Sequence, residues 1–446
     1  MKKVLIANRG EIALRINRAC HELGLSTVAV YSTVDVDALH VKFADESVCI
    51  GPPAAKESYL NMQSLLAAAE VTDADAIHPG YGFLSENADF ANLCTESGIK
   101  FIGPSSKVIH RMGHKVNAKE AAEKAGVPIL PSLRLDQNVS MKLIKEKVEA
   151  MGFPILIKAA MGGGGRGMKL VRKMDELERM IEVAKNESLQ AFGSNLVYIE
   201  KFALNPRHIE IQILADERGN VIHLGERDCS IQRRHQKLVE ESPSAVITPE
   251  IRKKMGAAAV ALAESVGYSS AGTIEYVTDQ DLNFYFLEMN TRIQVEHPVT
   301  EMVTGVDLLK QQILVAQGEK LSITQKDIQV RGHAIECRIT AEDPKTFLPA
   351  PGRIQLFHPP CGLGVRLESA ACSDYVVSPY YDSMICKLIV HGDSRGNAIL
   401  KMREALKEFV IHGIKTTIPF HRSLMTHPDF VAGRYDTGFI RKNFSN

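Results

Sequence analysis

The sequence predicts an α/β region at the amino-terminal end, an α+β region through the middle and a β-rich carboxy-terminal region. Three observations carry that reading. From Lys3 to Ile102, short apolar runs alternate with helical segments, the order of βαβ units on a parallel sheet. Four successive glycines, Gly162 to Gly165, stand between two runs that both read as strands. Beyond Asn195, several segments alternate polar and apolar residues with a period of two, which gives each strand one polar and one apolar face.

At 446 residues the chain is long enough for several domains, each with a core of its own. Its 45% hydrophobic and 24% charged residues are those of a soluble globular protein. Fifty-three basic residues balance 53 acidic ones, so no overall basic field recruits nucleic acid or an anionic membrane. No stretch nears the roughly 20 apolar residues that a membrane helix needs. The start, Met1 to Asn8, offers only a short apolar run where a signal peptide needs a longer one. The eight cysteines are scattered without a Cys-x-x-Cys pair, as reduced thiols are in a cytoplasmic protein, and no zinc site is expected.

Lys3 to Ala7 is the first strand. The first helix, Glu11 to Leu23, has Ile12, Ile16, Ala19 and Leu23 along one face, and Gly24 stops it. Ser26 to Tyr31 completes the βαβ unit. The turn Asn8-Arg9-Gly10-Glu11 holds a single glycine, so the dinucleotide fingerprint is absent here. Helix Tyr59 to Ala69, strand Ala74 to Ile77, helix Asn87 to Ser97 and strand Lys100 to Ile102 continue the alternation. The loop His78-Pro-Gly-Tyr-Gly-Phe-Leu-Ser-Glu-Asn87 leaves a strand end, where open α/β sheets bind ligands. It reads equally as a rigid turn feeding a helix, with Ser85 as cap.

Helix Lys115 to Gly126 leads to Val127-Pro-Ile-Leu-Pro131, whose prolines mark a domain boundary. Helix Val139 to Met151 precedes the run Phe153 to Ala160, the loop Met161-Gly-Gly-Gly-Gly-Arg-Gly-Met168 and the run Lys169 to Arg172. The loop contains the letters of G-x-G-x-x-G, yet that motif and the P-loop both need a helix after the glycines. With a strand on either side it is a hairpin. Its bare N–H groups can close on phosphates as a lid, with Arg166 in the loop and Lys158 in the strand before. Helix Met174 to Asn186 and strands Asn195 to Lys201 and Arg207 to Leu214 follow, the last with His208, Glu210 and Gln212 on one face. Gly225 to Lys237 then opens from a turn and ends in Arg233-Arg-His-Gln-Lys237, a basic run suited to a small anion.

Gly272 to Val277 places Glu275 inside a strand, and Phe284 to Pro298 is read as one extended strand. Glu288, Asn290, Arg292, Gln294 and Glu296 then share a face, opposite Leu287, Met289, Ile293 and Val295. The apolar entry, Phe284 to Leu287, suits a strand covered on both sides. A buried row of acid, amide, guanidinium and acid needs ligands or ions to satisfy it; a half-buried strand with its polar face in water is the alternative. Glu275, Glu288 and Asn290 supply hard oxygens on adjacent strands, the chemistry of Mg²⁺ shared with phosphates. After helix Val306 to Gln317, strand Gly332 to Ile339 puts Glu336 and Arg338 on one side. The rest, from Phe347, is β-rich and closes with helix Arg395 to Phe409.

In this order, Ala7-Asn-Arg-Gly-Glu-Ile-Ala13, the His78 to Asn87 loop, Gly162 to Met168, Arg233 to Lys237, Glu288-Met-Asn-Thr-Arg-Ile-Gln-Val-Glu-His-Pro-Val-Thr-Glu301 and Tyr380-Tyr-Asp-Ser-Met384 resemble the ATP-grasp enzymes. Over essentially its whole length the chain resembles the biotin carboxylase subunits of acetyl-CoA carboxylase. The resemblance implies three parts. Residues 1–114 would be a parallel-sheet pre-ATP-grasp domain, 115–317 the ATP-grasp region with 131–203 a mobile lid, and 318–446 the carboxy-terminal domain. It also implies an ADP-forming ligase that makes carboxyphosphate from ATP and bicarbonate, then carboxylates N1′ of biotin. That is the first half-reaction of malonyl-CoA formation for fatty acid synthesis.

Carried over position by position, Lys115, Lys158, Gly164, Gly165, His208, Gln232 and His235 would contact ATP, with Glu200 and Lys201 facing its adenine. Glu275 and Glu288 would touch ATP too and, helped by Asn290, hold two Mg²⁺ or Mn²⁺ ions. Lys237, Arg292, Gln294 and Val295 would hold bicarbonate, Glu296 would deprotonate it, and Arg338 would stabilise the biotin enolate. A carboxylate beside bicarbonate is what the chemistry asks for, and a flanking guanidinium keeps it ionised.

Ala203 and Cys386 depart from the family pattern, the first standing where a larger residue is expected, the second where a small non-thiol is usual. No Met-Lys-Met biotinylation motif occurs. The resemblance therefore implies that biotin is a carried substrate on a separate biotin carboxyl carrier protein, with separate carboxyltransferase subunits. A cytoplasmic homodimer is implied, with neither nucleic acid nor membrane as partner. The alternatives are the biotin carboxylase subunit of a pyruvate or other acyl-CoA carboxylase, another ATP-grasp carboxylate ligase, and a non-catalytic nucleotide-binding subunit.

Overall fold

In a computed structural model that describes residues 1–135, 139–159 and 168–444, the amino-terminal alternation folds as a parallel sheet. Strands β1 (Lys3–Ile6), β2 (Ser26–Ser32), β3 (Glu46–Gly51), β4 (Ala76–His78) and β5 (Lys100–Phe101) stand in the order β3-β2-β1-β4-β5. The edge strand β3 is missing from the sequence reading because Glu46, Ser47 and Cys49 are exposed and no apolar run marks it. The predicted helix from Tyr59 starts instead at Met62, capped by Asn61, whose side chain accepts from Ser64 N. Likewise Asn87, not Ser85, caps helix Ala88–Glu96 by accepting from Phe90 N. Gly80 makes the preceding loop possible. At φ +61 a Cβ would lie 3.0 Å from Asn8 Nδ2, the atom that donates to Pro79 O and Tyr81 O at 2.7 Å and pins the loop to the first βα turn.

Strands β6 (Ser132–Leu135), β7 (Ile155–Ala159), β8 (Lys169–Val171) and β9 (Val197–Lys201) form a second, antiparallel sheet. Ile155 opposite Val171 and Ile157 opposite Lys169 make β7 and β8 the arms of the expected glycine hairpin. Its tip, with Gly164, Gly165 and Arg166, lies outside the described residues. Helices Met141–Met151 and Leu177–Phe192 bury Val148, Leu177 and Ile181 against this sheet.

The large sheet is built from β10 (Arg207–Ala215), β11 (Val221–Arg233), β12 (Gln236–Ser242), β13 (Ser270–Thr278), β14 (Phe284–Asn290) and β15 (His333–Thr340). Beyond them come β16 (Gly352–Arg353), β17 (Leu356–His358), β18 (Val365–Ser369), β19 (Val376–Val377), β20 (Met384–Gly392) and β21 (Val410–His412). Eight of these strands are antiparallel neighbours in the order β14-β13-β10-β11-β12-β15-β20-β18, and the pairs β16-β19 and β17-β21 stand apart. The sheet passes unbroken from strands before residue 317 to strands after it.

Three expectations change here. The stretch Phe284 to Pro298 is a strand only to Asn290; residues 291–296 are irregular and His297–Thr304 is helical. Pro298 in the first helical turn suits that start, because the amide it lacks has no partner there anyway. As an edge strand β14 is half-buried at Phe284, Tyr285 and Leu287, and its edge is covered where Phe286 N donates to Pro128 O. The stretch from Gly225 is mostly strand β11, turning into β12 at Arg234 and His235. Both residues have positive φ (50° and 66°), as a two-residue hairpin turn requires. Lastly, helix Arg395–Glu408 does not close the chain. Helices Ile418–Thr426, Pro428–Val431 and Phe439–Asn443 follow, and Phe420, Leu424, Phe430 and Phe439 join the carboxy-terminal core. All eight cysteines are free. No described helix is long and apolar enough to cross a membrane.

Candidate active site

Register builds the centre of the site. Glu210 of β10 stands opposite Glu275 of β13 and Arg227 of β11, and Glu275 stands opposite Glu288 of β14. A row of carboxylates so deep in a sheet is tolerable only with cations among them. Arg227, with no exposed surface, supplies one. It donates to Glu210 (2.5 Å), Gln212 (2.6 Å), Thr300 (3.0 Å), Thr273 (3.1 Å) and Gln294 (2.9 Å), which uses its whole donor fork.

Lys237 supplies the other cation. Its ammonium donates to Glu210 Oε2 (2.6 Å), Glu275 Oε1 (2.9 Å) and Glu296 Oε1 (2.6 Å). The second oxygen of Glu296 accepts from Arg338 Nη2 at 2.9 Å, and Arg338 Nε donates to Glu240 at 2.6 Å. Burial pushes the Glu296 carboxyl up, but Lys237, Arg338 and Arg227 together hold it well below the usual range, so it is ionised. Glu296 occupies the N-cap position of helix His297–Thr304 without capping it, because its carboxylate is committed to the two cations.

Glu275 is likewise pushed up by burial and held well below its ordinary value, chiefly by Lys237 and His208. Asn290 Nδ2 (2.9 Å) and Gln294 Nε2 (2.8 Å) donate to its Oε1, and His208 Nε2 lies 3.1 Å from Oε2. Its neighbour Glu288 goes the other way. Burial and the Glu275 charge raise it, with Lys115 and His208 opposing. Arg292 donates to Glu86 (2.9 Å), Ile293 O (3.2 Å) and Asn290 Oδ1 (3.1 Å), and Thr291 N donates to Glu86 at 3.0 Å. The His78 to Asn87 loop thus feeds a helix, with Asn87 and not Ser85 as cap, and sets Glu86 against Arg292.

The structure thus brings together Lys237, His208, Glu275, Glu288, Asn290, Arg292, Gln294, Glu296 and Arg338. Lys115 begins helix Lys115–Lys124, close enough for its charge to oppose the rise at Glu288. Lys158 and Glu200 form a separate buried group with Lys119, in which both lysines donate to the carboxylate. Lys201 turns back to the carbonyls of Gly152 (3.0 Å) and Phe153 (3.3 Å). Of the basic run only Lys237 enters the acid cluster. Gln232 stands opposite it in the ladder, His235 is exposed in the turn, and the Arg233 guanidinium lies over the Phe347 ring. Sequence reasoning gave no role to Arg227, Glu86, Lys119 or Glu240. Arg227 and Glu240 sit inside strands, where a charge is itself a signal, but their partners are visible only once register is known.

The matches to known families and structures fit this geometry. Residues 1–109 match the model "Biotin carboxylase, N-terminal domain", 114–324 "Carbamoyl-phosphate synthase L chain, ATP binding domain", and 336–442 "Biotin carboxylase C-terminal domain". The chain is 56% identical to biotin carboxylase 1 of Bacillus subtilis, over 99% of this chain and 98% of that protein. It is similar to the biotin carboxylase–β,γ-ATP complex of Campylobacter jejuni, with a TM-score of 0.94, 50% identity and 99% of both chains covered. It is also similar to the biotin carboxylase domain dimer of Hydrogenobacter thermophilus 2-oxoglutarate carboxylase, solved with MgADP, ADP and bicarbonate. That TM-score is 0.92 at 50% identity, covering 99% of this chain and 97% of that one. The chain belongs to the biotin carboxylase family of ATP-grasp ligases.

Proposed function

We propose that the chain uses ATP to activate bicarbonate and passes the carboxyl group to biotin presented by a separate carrier protein, the first half-reaction of acetyl-CoA carboxylase. One observation carries the reading: Glu296, Lys237 and Arg338, from three different segments, meet in one buried cluster beside the Glu275 and Glu288 pair. In this reading residues 1–114, 115–317 and 318–446 are the working parts, and 131–203 closes over the nucleotide. ATP lies against Lys115, Lys158, Glu200, Lys201, His208, Gln232 and His235, with Gly164 and Gly165 of the lid on its phosphates.

The oxygen donors opposite each other on β13 and β14 fit a divalent cation. Glu288 is raised by burial and by Glu275, and no hydrogen bond reaches its carboxylate among the described residues. Glu275 and Glu288, helped by Asn290, would hold Mg²⁺ or Mn²⁺, two ions with ATP, and the metal would neutralise phosphate charge during transfer. Bicarbonate has to lose a proton to attack the γ-phosphorus, and Glu296 is placed to take it. Clamped by Lys237 and Arg338, Glu296 is ionised but weakly basic. Bicarbonate held by Lys237, Arg292, Gln294 and Val295 draws Lys237 toward itself, which raises the basicity of Glu296 when it is needed. Attack yields carboxyphosphate and ADP. The carboxyl group then passes to N1′ of biotin as its bond to phosphate breaks, the departing phosphate takes the N1′ proton, and Arg338 stabilises the enolate oxygen formed when that proton leaves.

The transferase would choose the final acceptor. Because a similar domain serves a 2-oxoglutarate carboxylase, the second reading is the same half-reaction in a pyruvate or other acyl-CoA carboxylase. A homodimer is part of the proposal, supported by the dimer of that similar domain, and so is a cytoplasmic location, which rests on the family resemblance alone. ADP release with bicarbonate, with and without free biotin, tests the proposal. Bicarbonate-dependent turnover that biotin accelerates is expected. ADP release indifferent to both would sink it, and no release at all would leave a nucleotide-binding subunit.

A further inference from the structure

Lys387, in β20, is a lysine with no exposed surface. Burying an ammonium is costly, and where packing alone is at stake an apolar side chain of similar volume often does as well or better. The two groups at Nζ come from distant parts of the chain. Lys387 donates to Val295 O at 2.8 Å and lies 3.1 Å from Glu11 Oε1. Glu11 belongs to the first helix, Gly10–Glu22, is itself buried, and accepts a hydrogen bond from the Tyr81 hydroxyl. Register explains how the lysine reaches the site, since Lys387 stands opposite Arg338 in the ladder of β15 and β20.

Val295 O belongs to the peptide plane that leads into Glu296. Fixing that oxygen fixes the plane that places the Glu296 N and Cα, and so the point from which its side chain starts. The loop needs such restraint, because the Glu296 carboxylate does not cap its own helix. The preceding carbonyl, Gln294 O, is held from the helix side, with His297 Nδ1 at 2.7 Å. Two successive carbonyls are thus pinned, one by the helix that follows and one by strand β20. We propose that Lys387 is a positioning residue for the loop that carries Glu296, tying Val295 to Glu11 so that docking of the amino-terminal region sets where the base stands. The inference rests on Glu296 being that base.

Three variants test it: Lys387→Met, Glu11→Gln and the two combined. Lys387→Met is expected to slow bicarbonate-dependent ADP release on the order of 10- to 100-fold at saturating ATP, the loss that a small misplacement brings. The KM for ATP should stay near wild type, while the melting temperature should fall, because Glu11 loses its buried partner, and rise again in the double variant. Glu11→Gln keeps the donor to Val295 and should retain most of the rate. If Lys387 only balanced the Glu11 charge, the double variant would recover; the proposal has it as slow as Lys387→Met. Should Lys387→Met not fold, the double variant, which removes the Glu11 carboxylate together with its partner, is read against Glu11→Gln. Wild-type turnover in either lysine variant overturns the proposal. Wild-type protein that releases no ADP with bicarbonate overturns the carboxylase reading, and this inference with it.

Discussion

Strand β12 presents two neighbouring glutamates to opposite faces of the large sheet, and they differ in almost every respect except burial. Glu241, on the carboxy-terminal side, accepts from Arg395 at 2.7 and 3.2 Å and from the Tyr435 hydroxyl, with His333 Nε2 at 2.6 Å. Burial pushes it up, yet His333 and Arg395 bring it down to about 2. Glu240, on the active-site side, has one oxygen on Arg338 and the other without a partner. Burial raises it to about 7, with Glu296 adding to the rise and Arg338 unable to cancel it. The cause of the contrast is sharing. Both oxygens of Glu241 are satisfied by groups that leave little room for a ligand, whereas Glu240 divides one guanidinium with Glu296. A closed cluster holds the fold, and an open one leaves Arg338 free to turn toward a substrate.

The largest effect expected from breaking that contrast is at Glu296, on the open side. Glu296→Gln keeps the shape and leaves Lys237 with Glu210 and Glu275 as partners. Bicarbonate-dependent ADP release should fall on the order of 10²- to 10⁴-fold, the range for losing a general base. ATP affinity, measured by nucleotide titration, should hold. Lost ATP affinity would make Glu296 a nucleotide ligand and remove the functional half of the comparison.

On the closed side, Glu241→Gln should leave turnover per folded molecule unchanged and lower stability by about 3 kcal/mol, as breaking a buried ion pair does. The sign with pH is fixed by the direction of the shift. Because the folded carboxyl lies at about 2, below the ordinary 4.5, its contribution is present above pH 4.5 and lost as pH falls toward 2. Urea unfolding at several pH values should show the acid limb flattened in the variant. Wild-type stability at pH 6 would mean that the cluster contributes nothing.

How much of this the residues disclose beforehand depends on whether the information is local. Parallel order near the amino terminus, the hairpin arms and the alternation of His208, Glu210 and Gln212 are local patterns, and each is legible. The residues from Thr291 to Glu296 are a different case. Gln294 and Glu296 reach Glu275 and Arg338 from irregular backbone and not from the predicted strand face, because the alternation that continues past Asn290 mimics a strand while Pro298 starts a helix nearby. Convergence of Glu296, Lys237 and Arg338 depends on three separate pairings, and nothing local to any of them records the other two. Edge strand β3 and the last three helices were missed for lack of an apolar run or a clear stop signal.

The smallest predicted effect concerns Glu240, and it has the opposite sign to that at Glu241. A carboxyl raised to about 7 contributes its stability below pH 4.5 and loses it as pH climbs through 7, because the folded state must then carry the charge in a dry site. Glu240→Gln removes that penalty. Near pH 4.5 the variant should match wild type, and at pH 8 it should be more stable by about 1 kcal/mol. The gain is less than the shift alone implies, since Arg338 gives up a charged partner to the amide. Urea unfolding at the two pH values reads the difference directly. A variant less stable at pH 8 would mean that Glu240 and Arg338 form a closed pair like that of Glu241 and Arg395. Arg338 would then be anchored rather than shared, and its freedom to meet an enolate would have to come from Glu296 alone.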